Sequence, residues 1–258
     1  MQGTSRKSII AAAVLGAASV AVPANTHAET IQLGFILDES GSILPGDWNI
    51  IKGGLATAIQ NLVPIGGLNT YEISVVKFDN DAEVVVAPTL VNSVASKNAV
   101  VNAINAAVQE GSTTDYTAAF QTMLNTMTGS ANYQPSVKQY VNFATDGEPN
   151  PSSQNGVAPR NAMIAAGFDN ISIEGIGVSA AGATFLQNSI CYPAPCDATV
   201  PYNFPAQGFY IGVSNAQGYA DAVGNKIAIV TEQVPEPASI VVLGIGLLGL
   251  GAVRRLRR

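Results

Sequence analysis

Apolar residues run almost unbroken through residues 31–37 and stop at Asp38-Glu39-Ser40-Gly41-Ser42. Such a run, bounded by turn formers, predicts a strand buried on both faces of a parallel sheet. Residues 45–63 follow with helical spacing: Trp48, Ile51, Leu55, Ile59 and Leu62 share one side, which makes Trp48 a core residue. Pro45 and Asp47 suit the first turn of that helix. Residues 71–78 and 83–87 are rich in β-branched side chains and flank Asp79-Asn80-Asp81. This predicts a hairpin, hence one antiparallel edge, with a solvated turn. The turn lacks the glycine and terminal glutamate of a twelve-residue calcium loop. Residues 97–109 predict a helix with Val100, Val101, Ile104 and Val108 on one side; a second helix carries Phe120, Met123, Leu124 and Met127. Residues 137–145 predict another central strand. Beyond it the pattern alternates: helix 160–168, strand 171–178, short helix 181–190, strand 209–213 and helix 215–230. The expected fold is α/β, a doubly wound, mostly parallel sheet with one antiparallel edge strand and helices on both faces.

Charge sharpens this picture. The chain carries a formal net charge of -6, but residues 29–233 hold only six basic residues against seventeen acidic ones. An acidic body without a basic patch argues against nucleic acid as a partner. The single histidine is His27, before the first strand. A domain without histidine has no Ser-His-Asp triad, no Cys-His pair and no histidine-bound zinc.

The two ends differ from the body. Residues 1–28 have Arg6 and Lys7, then an apolar stretch, then Thr26-His27-Ala28, the order expected of a secretory signal peptide. Residues 234–258 run from Val234-Pro235-Glu236-Pro237 through an uncharged apolar stretch, 238–253, to Arg254, Arg255, Arg257 and Arg258. That stretch is near the lower length limit for a membrane span, and the arginines would stay cytoplasmic. The domain proper is therefore expected at 29–233. In an exported chain, Cys191 and Cys196 are expected to form a disulfide.

The chemistry lies where strands end. Asp38, Ser40 and Ser42 leave the carboxyl end of the first strand, and Asp146-Gly147 leaves that of strand 137–145. Between them Gly111-Ser112-Thr113-Thr114-Asp115 leads into a helix. In open α/β sheets this is the edge where ligands bind. All three segments offer oxygen, which suits Mg²⁺, Mn²⁺ or Ca²⁺. Glu39 and Glu148 are expected as rim charges.

Asp38-x-Ser40-x-Ser42, a threonine before Ala119-Phe120 and Asp146-Gly147 together resemble the metal-ion-dependent adhesion site of the von Willebrand factor type A domain. The resemblance covers roughly residues 31–230. It implies a Mg²⁺-type ion held directly by Ser40 and Ser42, with Asp38 and Asp146 acting directly or through water. A threonine completes the set: Thr114 has the family's spacing to Ala119 and Phe120, and Thr113 is the competing position. Hydroxyls are neutral ligands, so such an ion keeps positive charge for an acidic group of a partner. The tail, in turn, resembles the PEP-CTERM sorting signal, which implies recognition by an exosortase and export by a Gram-negative bacterium. The leading expectation is a secreted or surface-tethered binding module, not an enzyme, whose partner is a protein or matrix ligand presenting an acidic group. The alternatives are a structural exopolysaccharide-matrix protein with a merely stabilising metal, or a metal-assisted hydrolase using Glu39, Asp146 or Glu148.

Overall fold

The computed structural model describes residues 29–194, 196 and 202–231; the expected signal peptide and sorting tail lie outside them. The first strand, β1 (Glu29–Asp38), is buried from Ile31 to its end. The chain continues through α1 (Pro45–Leu62), β2 (Asn69–Phe78), β3 (Ala82–Leu90), α2 (Val94–Ala106) and α3 (Tyr116–Thr128). It then forms β4 (Gln139–Thr145), α4 (Val157–Ala165), β5 (Asn170–Ile176) and α5 (Ala180–Phe185), which passes into a π-helical turn, Leu186–Ile190. The last elements are β6 (Tyr210–Val213) and α6 (Ala216–Val230).

The six strands lie in the order β3-β2-β1-β4-β5-β6. Only β2–β3 is antiparallel; every other neighbouring pair is parallel. The chain winds outward from β1 in one direction and from β4 in the other. The β1–β4 boundary is therefore the switch point, where an open sheet leaves a crevice at its carboxyl edge.

Alternation along the strands makes two cores. Leu33, Phe35, Ile73, Val75 and Tyr140 face α1, α2 and α6; Ile36, Val76, Phe78, Val141 and Phe143 face α3 and α4. Trp48, Ile51, Leu55 and Ile59 form the buried stripe of α1. A methyl at Gly54 would sit 2.5 Å from Ala220 Cβ, so this glycine is what lets α1 and α6 touch backbone to backbone. Under the β1–β4 boundary, Phe143 packs on Phe78, Tyr116 and Phe120 with ring centres 5.6, 4.8 and 4.9 Å apart. Each such buried side chain contributes roughly 1.5–3 kcal/mol.

The structure departs from the sequence pattern in three places. The helix expected to reach residue 109 ends at Ala106, and Val108 is exposed in the loop beyond. The Asp79-Asn80-Asp81 turn is solvated only in part: Asn80 and Asp81 are exposed, but Asp79 is buried and its carbonyl accepts the Asp115 amide at 2.7 Å. Glu39 is buried rather than on the rim, because Lys77 reaches it at 3.0 Å.

Cys191 and Cys196 are disulfide-bonded. Tyr192 pairs with Ile171 near the start of β5, which puts this insertion at the amino edge of the sheet. Arg160 fixes it, donating to the carbonyls of Ile190 and Cys191 and lying over the Tyr192 ring.

Candidate metal centre

Register places the site. Asp38 is the last residue of β1 and pairs with Phe78 of β2, while Leu37 pairs with Ala144 of β4. Asp38 and Thr145 therefore end adjacent strands side by side. The Thr145 hydroxyl donates to Asp38 Oδ2 at 2.6 Å, and the Ser40 amide donates to Oδ1 at 2.9 Å. The carboxylate sits above the Phe78–Phe143–Tyr116 cluster and is 1% exposed. Burial pushes its pKa up to about 6, against the Ser40 and Thr145 hydrogen bonds, with Asp146 adding a smaller upward push.

The hydroxyls lie above it. Ser40 Oγ is 3.0 Å from Ser42 Oγ, and Ser42 Oγ donates to Asp146 Oδ1 at 2.7 Å. Asp146 is half-buried; burial raises its pKa, the Ser42 bond opposes this, and Asp47 adds to the rise. Ser40 is buried and Ser42 exposed, so the group opens from a closed floor to solvent.

The third segment is tied in through its backbone. The Gly41 amide donates to the Ser112 carbonyl at 2.8 Å, and the Asn150 amide donates to the Thr114 carbonyl at 2.9 Å. Thr114 is buried between these loops, whereas Thr113 is exposed. Asp115 caps α3 through the Ala118 amide at 2.9 Å, which fixes where the loop ends.

The sequence reading missed Thr145 and Tyr116. The Tyr116 hydroxyl donates to the Gly147 carbonyl at 2.5 Å and lies 3.1 Å from Thr145 Oγ1. Burial keeps its phenol protonated, so it is a fixed donor beneath the Asp146 loop. The only sequence signal for Thr145 is a hydroxyl at the end of an apolar strand. Of the expected rim charges, Glu148 is exposed and accepts from Ser179 at 2.7 Å.

Two oxygens on adjacent corners of an octahedron with bonds of ~2.1 Å lie roughly 3 Å apart. The Ser40–Ser42 and Ser42–Asp146 separations are of that size, so the residues present fit a small divalent cation. Among the described residues no three His, Cys, Asp or Glu side chains are grouped so that they alone could hold a metal ion. The donors at this edge are two carboxylates and hydroxyls.

The fold is thus a doubly wound α/β sheet with an oxygen-lined crevice at its switch point. The chain belongs to the von Willebrand factor type A domain family, whose model matches residues 32–207. Residues 233–258 match the PEP-CTERM protein-sorting motif. No curated protein matches the sequence. Among solved structures the chain is similar to proximal thread matrix protein 1 from the mussel byssus (TM-score 0.61, 15% identity, 80% of this chain and 49% of that one). A structure of that mussel protein with a zinc-occupied MIDAS motif gives a TM-score of 0.60 at 16% identity, with the same shares of both chains covered. The pilus adhesin SpaC from Lactobacillus rhamnosus GG gives 0.60 at 11% identity, over 80% of this chain and 31% of that one. The chain thus spans about half the mussel protein and about a third of the adhesin, and these likenesses show the fold alone. Among the described residues no helix is long and apolar enough to cross a membrane.

Proposed function

We propose that this protein is an exported binding module that recognises a partner through a divalent cation at the carboxyl edge of its sheet. The observation that carries this reading is the chain of oxygens Ser40 Oγ–Ser42 Oγ–Asp146 Oδ1, with successive separations of 3.0 and 2.7 Å, beside buried Asp38. Ser40 and Ser42 would hold the ion directly, Asp38 and Asp146 directly or through water, and Thr114 in the ligand-competent state. Burial and the backbone bond to Asn150 support Thr114 over Thr113. A bound cation supplies a Lewis-acidic position that an acidic group of a protein or matrix partner can fill. Mg²⁺ is the preferred ion, with Mn²⁺ and Ca²⁺ as alternatives.

The domain boundaries belong to the same proposal: 1–28 as signal peptide, 29–233 as the binding domain and 234–258 as the sorting tail. The match to the sorting motif supports export by a Gram-negative bacterium with exosortase recognition of the tail, and tethering at residues 238–253 before processing. A thread matrix protein of the mussel byssus and a pilus adhesin share this fold, in keeping with an adhesive or matrix role here.

Titration calorimetry of Mg²⁺ and Mn²⁺ tests the site in residues 29–233. Binding by the parent that Asp146→Ala and Asp38→Ala abolish is the expected result. Unchanged binding in both variants would sink the reading.

A further inference from the structure

The side chain that ties the site loops together is Lys77. On β2 it follows Tyr71, Ile73 and Val75 on the α2-facing side, and it is the last such position before the strand ends. Its ammonium is 3.0 Å from Glu39 Oε1, 3.0 Å from Glu83, 3.4 Å from Glu110 and 3.0 Å from the Val108 carbonyl, which accepts from it. Four segments thus meet on one buried cation: the Asp38–Ser42 loop, β2, β3 and the approach to the threonine loop. Glu39 completes the link, since its Oε2 accepts the Glu110 amide at 3.2 Å. Gln109 adds a neutral tie, donating to the carbonyls of Ile43 at 2.7 Å and Glu39 at 3.2 Å.

The partners are unequal. Lys77 and Glu39 are 5% and 4% exposed, while Glu83 and Glu110 are 64% and 67% exposed. A screened surface pair contributes little, whereas a buried one holds its geometry. The Lys77–Glu39 pair is therefore the fixed element, and the two outer glutamates are adjuncts. Asp79, two residues on, adds a further buried carboxylate close to Glu39.

We infer that Lys77 is a positioning residue for the site. It seats the threonine loop against the serine loop and turns Glu39 inward. Resting on the metal reading above, this gives the clamp a second consequence. Glu39 stands between Asp38 and Ser40 in sequence, and turned toward the hydroxyls it would add a third carboxylate. Held by Lys77, it stays out of the donor set, which keeps two carboxylates rather than three. A cation there remains under-neutralised and open to a partner's acidic group.

Two readouts in the purified full chain test this. The first is amide hydrogen exchange at Gly41 and Glu110 without metal, since both amides donate across the loops. The second is Mn²⁺ affinity. Lys77→Met leaves Glu39 buried without its cation, so Lys77→Met with Glu39→Gln removes the clamp without an orphan charge. In the double variant both amides should exchange faster while the unfolding midpoint is kept. Mn²⁺ affinity should fall about tenfold, as for other outer partners of metal ligands. Lys77→Arg should restore both. Wild-type exchange in the double variant overturns the clamp; faster exchange with unaltered Mn²⁺ affinity overturns its role in positioning donors. If the wild type itself takes up no Mn²⁺, the functional reading fails instead, and exchange alone decides the clamp.

Discussion

Two carboxylates are buried in this sheet with opposite company. Asp38 ends β1 and receives only hydroxyl and amide donors; among the described residues no lysine or arginine pairs with it. Glu174 lies within β5, accepts a hydrogen bond from Asn142 Nδ2, and has Lys226 of α6 at 3.6 Å. Both acids are fully enclosed, and burial raises both pKa values. Lys226 opposes that rise for Glu174, and nothing basic does so for Asp38. Lys226 is itself lowered to about 8 by burial and stands over the Phe209 ring at 4.7 Å. Glu174 is thus neutralised from within, although Glu174 Oε1 and Lys226 Nζ make no hydrogen bond. On the proposed reading, Asp38, beside a solvent-facing crevice, takes its counter-charge from a cation outside the chain. The difference teaches that a buried acid points to a ligand only once internal counter-charges have been counted.

The comparison can be broken most forcefully at Lys226. Lys226→Met strands a buried carboxylate and should cost about 3–5 kcal/mol of unfolding free energy in urea titrations. Adding Glu174→Leu should recover most of that loss. The metal side gives the next effect. At 100 times its dissociation constant, Mg²⁺ should raise wild-type stability by about 2.7 kcal/mol. It should do nothing for Asp146→Ala, and equal stabilisation of both would place any bound ion elsewhere. A smaller loss, about 2 kcal/mol, is expected when Cys191→Ser and Cys196→Ser open the short disulfide loop. Cation affinity should be unmoved, because that loop sits at the amino edge.

The gentlest probe is pH. Lys226 has its folded pKa lowered to about 8, below its ordinary 10.5. Between these values the unfolded chain binds more protons, so stability should rise with pH across that window. The slope is at most about 1.4 kcal/mol per pH unit. It should be seen as the difference from Lys226→Met with Glu174→Leu, because the tyrosines titrate in both proteins. A flat difference would mean that Lys226 keeps its ordinary proton affinity.

Much of this was legible along the chain. The strands showed as apolar runs or β-branched stretches and the longer helices by their spacing, and Asp38, Ser40, Ser42 and Asp146 stood out as polar residues following apolar runs. The junctions did not. Lys77 reads as one charge in a strand, and its partners Glu39 and Glu110 are 38 and 33 residues away, joined only by strand order. Glu174 and Lys226 each interrupt an apolar pattern without naming the other. Val108 fits the helical stripe that reads through Ile104, yet the helix ends at Ala106, where Lys52 donates to the carbonyls of Asn105 and Ala107. Local pattern fixes elements, whereas partners across the sheet depend on topology.

The first and last described residues, Glu29 and Thr231, lie at one edge of this fold. From the loop at Ser42, α1 runs 18 residues to Leu62, a length of ~27 Å at 1.5 Å per residue. Thr231 bonds to the Leu62 carbonyl at the far end of that helix. Glu29 begins β1, nine residues before Asp38, or ~30 Å of extended chain. Entry and exit thus share the side opposite the loops. Whatever follows Thr231 therefore begins at the edge of the sheet opposite the Asp38–Asp146 crevice.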